Sequence, residues 1–205
     1  MKITTFTYCF VKKMMKKVFT IALLIFNFSL FTLSCKGQNY YAVQPGSWGD
    51  NTEVWSTQSL SGDACGCNPG ATITGSTIIT IGNNVLSSNT LTSISGTSGM
   101  LINDGDSLTI RTSNLDMSSA ASIIVNGTLI LYGQLSMSGT TAITVNGTGH
   151  VVIFGNVSNS GSARVTNNGS FLVRGTVTKT GNAVFNGASQ SFETDVVRGT
   201  KNAIH

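Results

Sequence analysis

Side chains that do chemistry are scarce in this chain: its 205 residues hold 8 Asp and Glu, 2 His and 4 Cys. Cleaving polysaccharide calls for clustered carboxylates, in some enzymes with Ca²⁺ and an Arg. No Asp or Glu stands between Met117 and Phe192, and only Asp104, Asp106 and Asp116 lie within the 40 residues or so before that stretch. Asp104-Gly105-Asp106 reads as a turn rather than a Ca²⁺ site, because by itself it supplies too few oxygens. His150 follows Gly149 with no acid near it in the chain, and His205 is terminal. No nucleophile–base–acid set is in view. The expectation is therefore no catalytic residue, no metal and no cofactor.

Two of the four cysteines, Cys9 and Cys35, fall in or beside an N-terminal leader; the others form Cys65-Gly66-Cys67. An exported chain can form disulfides, and Gly66 gives the flexibility that a tight local bridge needs. A metal would want more ligands nearby. A local disulfide, or two idle thiols, is the favoured reading over redox or metal chemistry.

The leader is residues 1–37. Lys12-Lys13-Met14-Met15-Lys16-Lys17 precedes Val18 to Leu33, an apolar run without a charge. That run is shorter than the roughly 20 residues of a membrane span, and a basic region ahead of a short apolar one is the pattern of a secretory signal peptide. The natural start is then Met14 or Met15. Cleavage after Gly37 leaves Gln38 first; alternatively Leu33-Ser34-Cys35 resembles a lipobox, and Cys35 carries a lipid, the one membrane attachment the sequence offers.

Charge changes meaning once the leader is removed. The whole chain has 12 Lys and Arg against 8 acids, net +4, but six of the lysines precede Gln38 and none of the acids does. The mature chain keeps six basic residues against eight acids, net −2. Nucleic acid is excluded as a main partner.

What must position any functional group is a repeat. Turn glycines recur at Gly82, Gly105, Gly127, Gly147, Gly169 and Gly187, most after Asn or Asp, a pair that tolerates positive φ. Between them Leu129-Ile130-Leu131-Tyr132-Gly133 matches Val151-Val152-Ile153-Phe154-Gly155 and Phe171-Leu172-Val173-Arg174-Gly175. A second phrase runs Leu135 to Gly139, Val157 to Gly161 and Val177 to Gly181, with an earlier copy from Leu115. A third carries Ile123 and Val125, then Ile143 and Val145, then Ala183 and Phe185.

Three alternating strands per repeat of about 20 residues mark a solenoid. Glycine interrupts too often for helical repeats, and an antiparallel sandwich does not require its strands to match column by column. The fold predicted is an all-β, right-handed parallel β-helix of about five coils, right-handed by the preference of parallel crossovers. Residues 38–75 form an N-terminal cap, 76–190 the coils, and 191–205 a C-terminal cap or truncated end. The inward stacks are Leu108/Leu129/Val151/Phe171, Ile110/Leu131/Ile153/Val173 and Leu115/Leu135/Val157/Val177. In-register stacking puts like residues on like, which disfavours charge and accounts for a chain only 10% charged. Trp48 and Trp55 are read as cap core rather than sugar platforms.

Two outward faces remain. One stacks Thr109, Ile130, Val152 and Leu172 beside Arg111, Tyr132, Phe154 and Arg174, an apolar stripe bounded by arginines that marks either a partner surface or a seat for a terminal segment. The other pairs Ser118, Ser138, Ser160 and Thr180 with Asp116, Ser136, Ser158 and Thr178, a hydroxyl ladder suited to a glycan, to ice or simply to water.

Gly46-Ser47-Trp48 followed by Trp55-Ser56, the Cys65-Gly66-Cys67-Asn68-Pro69 turn and the Asn-Gly-Thr coils resemble the β-helix surface proteins and adhesins of Bacteroidetes-type bacteria, over most of residues 40 to 190. The resemblance implies a secreted or outer-surface protein, with the periplasm as the other address, and an adhesin-like role. Such proteins are often longer and end in a sorting domain for type IX secretion; none is apparent before His205, which argues against surface display or implies a truncated or split reading frame. Asp106-Ser107-Leu108 is similar to the O-glycosylation acceptor of such bacteria. The function expected is a non-enzymatic surface module that binds a glycan or a protein. The alternatives are a polysaccharide-active enzyme or its subunit, and an ice-binding solenoid.

Overall fold

The structure is a computed structural model that describes residues 37–187 and the strand Phe192–Thr194. The expected leader, with Cys35, and most of the expected C-terminal cap lie outside the described residues. The described chain is all β, wound into a parallel β-solenoid of about six turns.

Each turn lays one strand on each of three faces. The first face carries β1 (Asn39–Ala42), β5 (Ile78–Ile81), β8 (Gly99–Ile102), β10 (Ser122–Val125), β12 (Ala142–Val145), β15 (Arg164–Asn167) and β18 (Val184–Gly187). The second carries β2 (Gly46–Ser47), β6 (Val85–Ser88), the first half of β9 (Ser107–Met117), the first half of β11 (Thr128–Met137), β13 (His150–Ile153), β16 (Ser170–Val173) and β19 (Phe192–Thr194). The third carries β4 (Thr72–Ile73), β7 (Ser93–Ile94), the second halves of β9 and β11, β14 (Val157–Asn159) and β17 (Val177–Lys179). Strands within a face pair in parallel. The exception is β3 (Trp55–Ser56), which runs antiparallel to β1.

The turn beyond the five expected coils comes from the segment read as a cap. Tyr40 to Ala42 pair with Ile79 to Ile81, and Gly46 with Val85, so β1 and β2 are rungs of the stack. The excursion between β2 and β4 escapes a repeat search because it matches no other coil. It folds on Trp48 and Trp55, both buried and packed edge-to-face with centroids 5.1 Å apart. Their indole N–H groups are satisfied: Trp48 Nε1 donates to Gly70 O at 2.8 Å and Trp55 Nε1 to Trp48 O at 3.0 Å. Cys65 and Cys67 are joined by a disulfide, Cα atoms 5.2 Å apart, with Gly66 at φ +63°. The tryptophans are core, not sugar platforms.

The core is made of columns one residue wide. Leu108, Leu129, Val151 and Phe171 face one another in register and are all buried, as are Ile110, Leu131, Ile153 and Val173. Leu115, Leu135 and Val157 continue the third stack, and Val177 ends it half-buried. Each such side chain contributes about 1.5–3 kcal/mol relative to exposure. One expected match slips by two residues. Phe185 stacks under Val165, Ile143 and Ile123, not under Val145, whose column continues through Asn167 to Gly187. Corner glycines set this register: Ile143, Val165 and Phe185 each come four residues after Gly139, Gly161 and Gly181.

That corner needs a left-handed residue. Gly75, Gly96, Gly139, Gly161 and Gly181 take φ between +67° and +73° there, and Ser119 takes +64°. The next coil's backbone is hydrogen-bonded to it, as in Thr140 N–H to Ser119 O at 2.7 Å and Ser162 N–H to Gly139 O at 2.8 Å. A Cβ at Gly139 would sit 2.6 Å from Ser119 O. At the bend between the second and third faces β9 bulges, with Thr112 and Ser113 opposite the single Gly133 of β11, where a Cβ would sit 1.9 Å from Thr112 O.

Candidate functional site

The second face carries the outward stripe. Its central column runs Leu86, Thr109, Ile130, Val152 and Leu172, fixed by pairings of Thr109 with Leu86 and Ile130, and of Val152 with Ile130 and Leu172. Alternation places these side chains on the water side of strands whose other residues fill the core. All but Leu86 are half-buried, and Leu86 is exposed.

Beside this column the chain builds a ladder of flat groups. Tyr132 and Phe154 stack face to face, centroids 4.6 Å apart and planes within 3°. The Arg111 guanidinium lies 5.3 Å from the Tyr132 ring centre, on the coil before it. Arg174 follows on the coil after Phe154, exposed. Both rings stay open to solvent, Tyr132 at 44% and Phe154 at 47%. Tyr132 is offered edge-on, since Phe154 covers one of its faces and Arg111 the other. A concavity of about 320 Å³ heads the stripe, lined by Leu86, Thr109, Arg111 and Tyr132 among others.

Leu86 was missing from the expected stripe, although its signal is in the sequence. It stands four residues after Gly82 as Thr109 does after Gly105, so the column extends one coil further back. Ring stacking was not legible. Sequence placed Tyr132 and Phe154 in one column, but not whether their faces or their edges meet solvent.

The third-face hydroxyls align in register, Asp116 with Ser136, Ser136 with Ser158 and Ser158 with Thr178. Many are already engaged. Ser136 Oγ donates to Asn114 Oδ1 at 2.9 Å, Ser160 Oγ to Met137 O at 3.1 Å, and Ser138 Oγ reaches Met117 O at 3.5 Å. The column of Ser138 and Ser160 thus braces the corner, and Ser158, Thr178 and Thr180 are the exposed remainder.

Asp104 and Asp106 lie at the corner between the first and second faces, and Asp116 is on the third. Burial, and then the neighbouring Asp104 carboxylate, raise the pKa of Asp106 above the ordinary carboxylate value. Asp50 is lowered by the Thr52 hydroxyl and by backbone N–H groups of Thr52 and Glu53, which fixes an exposed turn. Among the described residues no three of His, Cys, Asp and Glu gather as a metal site, and no helix is long and apolar enough to cross a membrane.

Fold and site together define a parallel β-solenoid with one apolar, ring-lined face. Compared with known protein families, with curated proteins and with solved structures, the chain finds no match.

Proposed function

We propose that the chain is an exported, non-catalytic surface module, adhesin-like in role, that binds a protein partner through the second face of the solenoid. Export rests on the basic-then-apolar leader. The non-catalytic reading rests on the dispersal of the few acids over different faces and corners.

The ladder of Arg111, Tyr132 and Phe154 carries the choice of partner. A sugar ring stacks its C–H face on an open aromatic face, whereas here both faces of Tyr132 are taken, by Phe154 and Arg111, and one face of Phe154 is spent on Tyr132. Edges beside Ile130, Val152 and Leu172 match the aliphatic and aromatic side chains of a protein surface. Arg111 and Arg174 flank the stripe, and arginine is enriched at such interfaces. The hydroxyl ladder is the weaker site for glycan or ice, because Ser136, Ser138 and Ser160 spend their hydroxyls on the solenoid itself.

A Val152→Ser/Phe154→Ser variant tests this reading beside wild type, on a glycan array and on cells before and after surface proteolysis. The reading expects no array signal and saturable cell binding that proteolysis removes. The variant should fold yet bind at least about tenfold more weakly, the loss of a modest interface hot spot. Glycan binding that the variant retains would move the site to the third face, and no binding by folded wild type would leave a scaffold role.

A further inference from the structure

We propose that Asn146 is a site of spontaneous deamidation, singled out from the Asn-Gly pairs at Asn126 and Asn168 by the corner it occupies. In this reaction the backbone nitrogen of the following residue attacks Asn Cγ. An N–Cγ bond forms, the Cγ–Nδ2 bond breaks, and the amide leaves as ammonia after taking up the proton lost by the attacking nitrogen. Water then opens the cyclic imide at either carbonyl and leaves aspartate or isoaspartate. The attacking N–H must be free of an acceptor of its own, and the following residue must have room to turn.

The Asn-Gly pairs meet these demands unequally. Gly127 N donates to Ile102 O at 3.3 Å, and a Cβ on Gly127 would sit 2.1 Å from Asn103 O. Gly169 N donates to Asn167 Oδ1 at 3.1 Å, and a Cβ there would sit 2.3 Å from Gly149 O. Both glycines are wedged against the coil below. Gly187 stands outside this comparison, being the last residue of β18, and the chain next to it lies outside the described residues. The Asn146 corner is longer: Asn146-Gly147-Thr148-Gly149 closes by Gly149 N–H to Asn146 O at 2.8 Å. Gly147 and Thr148 are exposed, and a Cβ on Gly147 would meet nothing within 4 Å. Among the described residues the Gly147 N–H meets no acceptor.

The product matters locally. Asn146 Nδ2 donates to Asn126 Oδ1 at 2.6 Å, a side-chain rung between successive corners. Conversion replaces that donor by a carboxylate, the first acid in the run from Ser118 to Ser191.

The test incubates the folded, full-length protein at mildly alkaline pH and follows Asn126, Asn146 and Asn168 by peptide mass spectrometry. Asn146 should convert about tenfold ahead of Asn126 and Asn168, the factor that opening a backbone hydrogen bond imposes. In urea the three should converge. Gly147→Ala adds a methyl group where there is room, so it should keep the melting temperature and slow conversion at Asn146. Asn126 or Asn168 matching Asn146 in the folded protein, or Gly147→Ala leaving its rate unchanged, would overturn the proposal.

Discussion

Asn159 is the residue least at ease in the core. It is 1% exposed, stacked under Met137 in a column that begins Ile73, Ile94, Met117, and neither its Oδ1 nor its Nδ2 meets a partner. A buried polar group left unpaired costs about 1–3 kcal/mol. Asn159→Met continues the methionine column and is expected to raise stability by roughly that amount in urea unfolding. The corner residues give the opposite sign. Gly139→Ala forces a left-handed Cβ against Ser119 O and should lower stability by about 1–3 kcal/mol, whereas Ser119→Gly should be neutral or mildly stabilising. Asp106 sets a small pH dependence. Its folded pKa is raised, so the folded state holds the proton to higher pH than the unfolded chain. Its contribution is complete below the unfolded value and is lost as pH rises through the folded one. Asp106→Asn should therefore remove the small loss of stability that Asp106 brings as pH rises above the ordinary carboxylate value.

The strand columns are the scale at which the sequence speaks most clearly. A coil that stacks on itself must repeat its apolar positions, so Leu108 to Phe171 and Ile110 to Val173 could be read off before any fold was known. Leu131→Ala removes most of a fully enclosed side chain, 1% exposed, and is expected to cost about 2–5 kcal/mol of unfolding free energy, more than any outward substitution. Two things escaped the pattern. The first coil is broken by the excursion around Trp48 and Trp55, so β1 and β2 share pairing with the stack but not its phrases. Phe185 stands two residues from the place that likeness of residues suggests, because corner glycines govern the register. For the site, alternation told which residues point outward, and the neighbours across coils decided what they present. Tyr132 shows an edge because Phe154 and Arg111 close its two faces, and Ser138 and Ser160 are braces because a carbonyl lies one coil away.

At the scale of the molecule, low charge and apolar exposure have one origin. Among the described register pairs no like charges stand opposite: Arg111 faces Tyr132, Asp116 faces Ser136, and Arg164 faces Ala142 and Val184. A solenoid built on that rule has few charges to spread over its faces, so a stripe such as Ile130, Val152 and Leu172 is uncommonly bare and suits a partner surface. The most direct measurement is the affinity of the purified protein for intact cells, wild type against Val152→Ser/Phe154→Ser on the second face and Ser158→Ala/Thr178→Ala on the third. The account predicts saturable binding that surface proteolysis abolishes, that the second-face variant loses by about tenfold or more, and that the third-face variant retains. Equal binding by wild type and the second-face variant, with both folded, would contradict it.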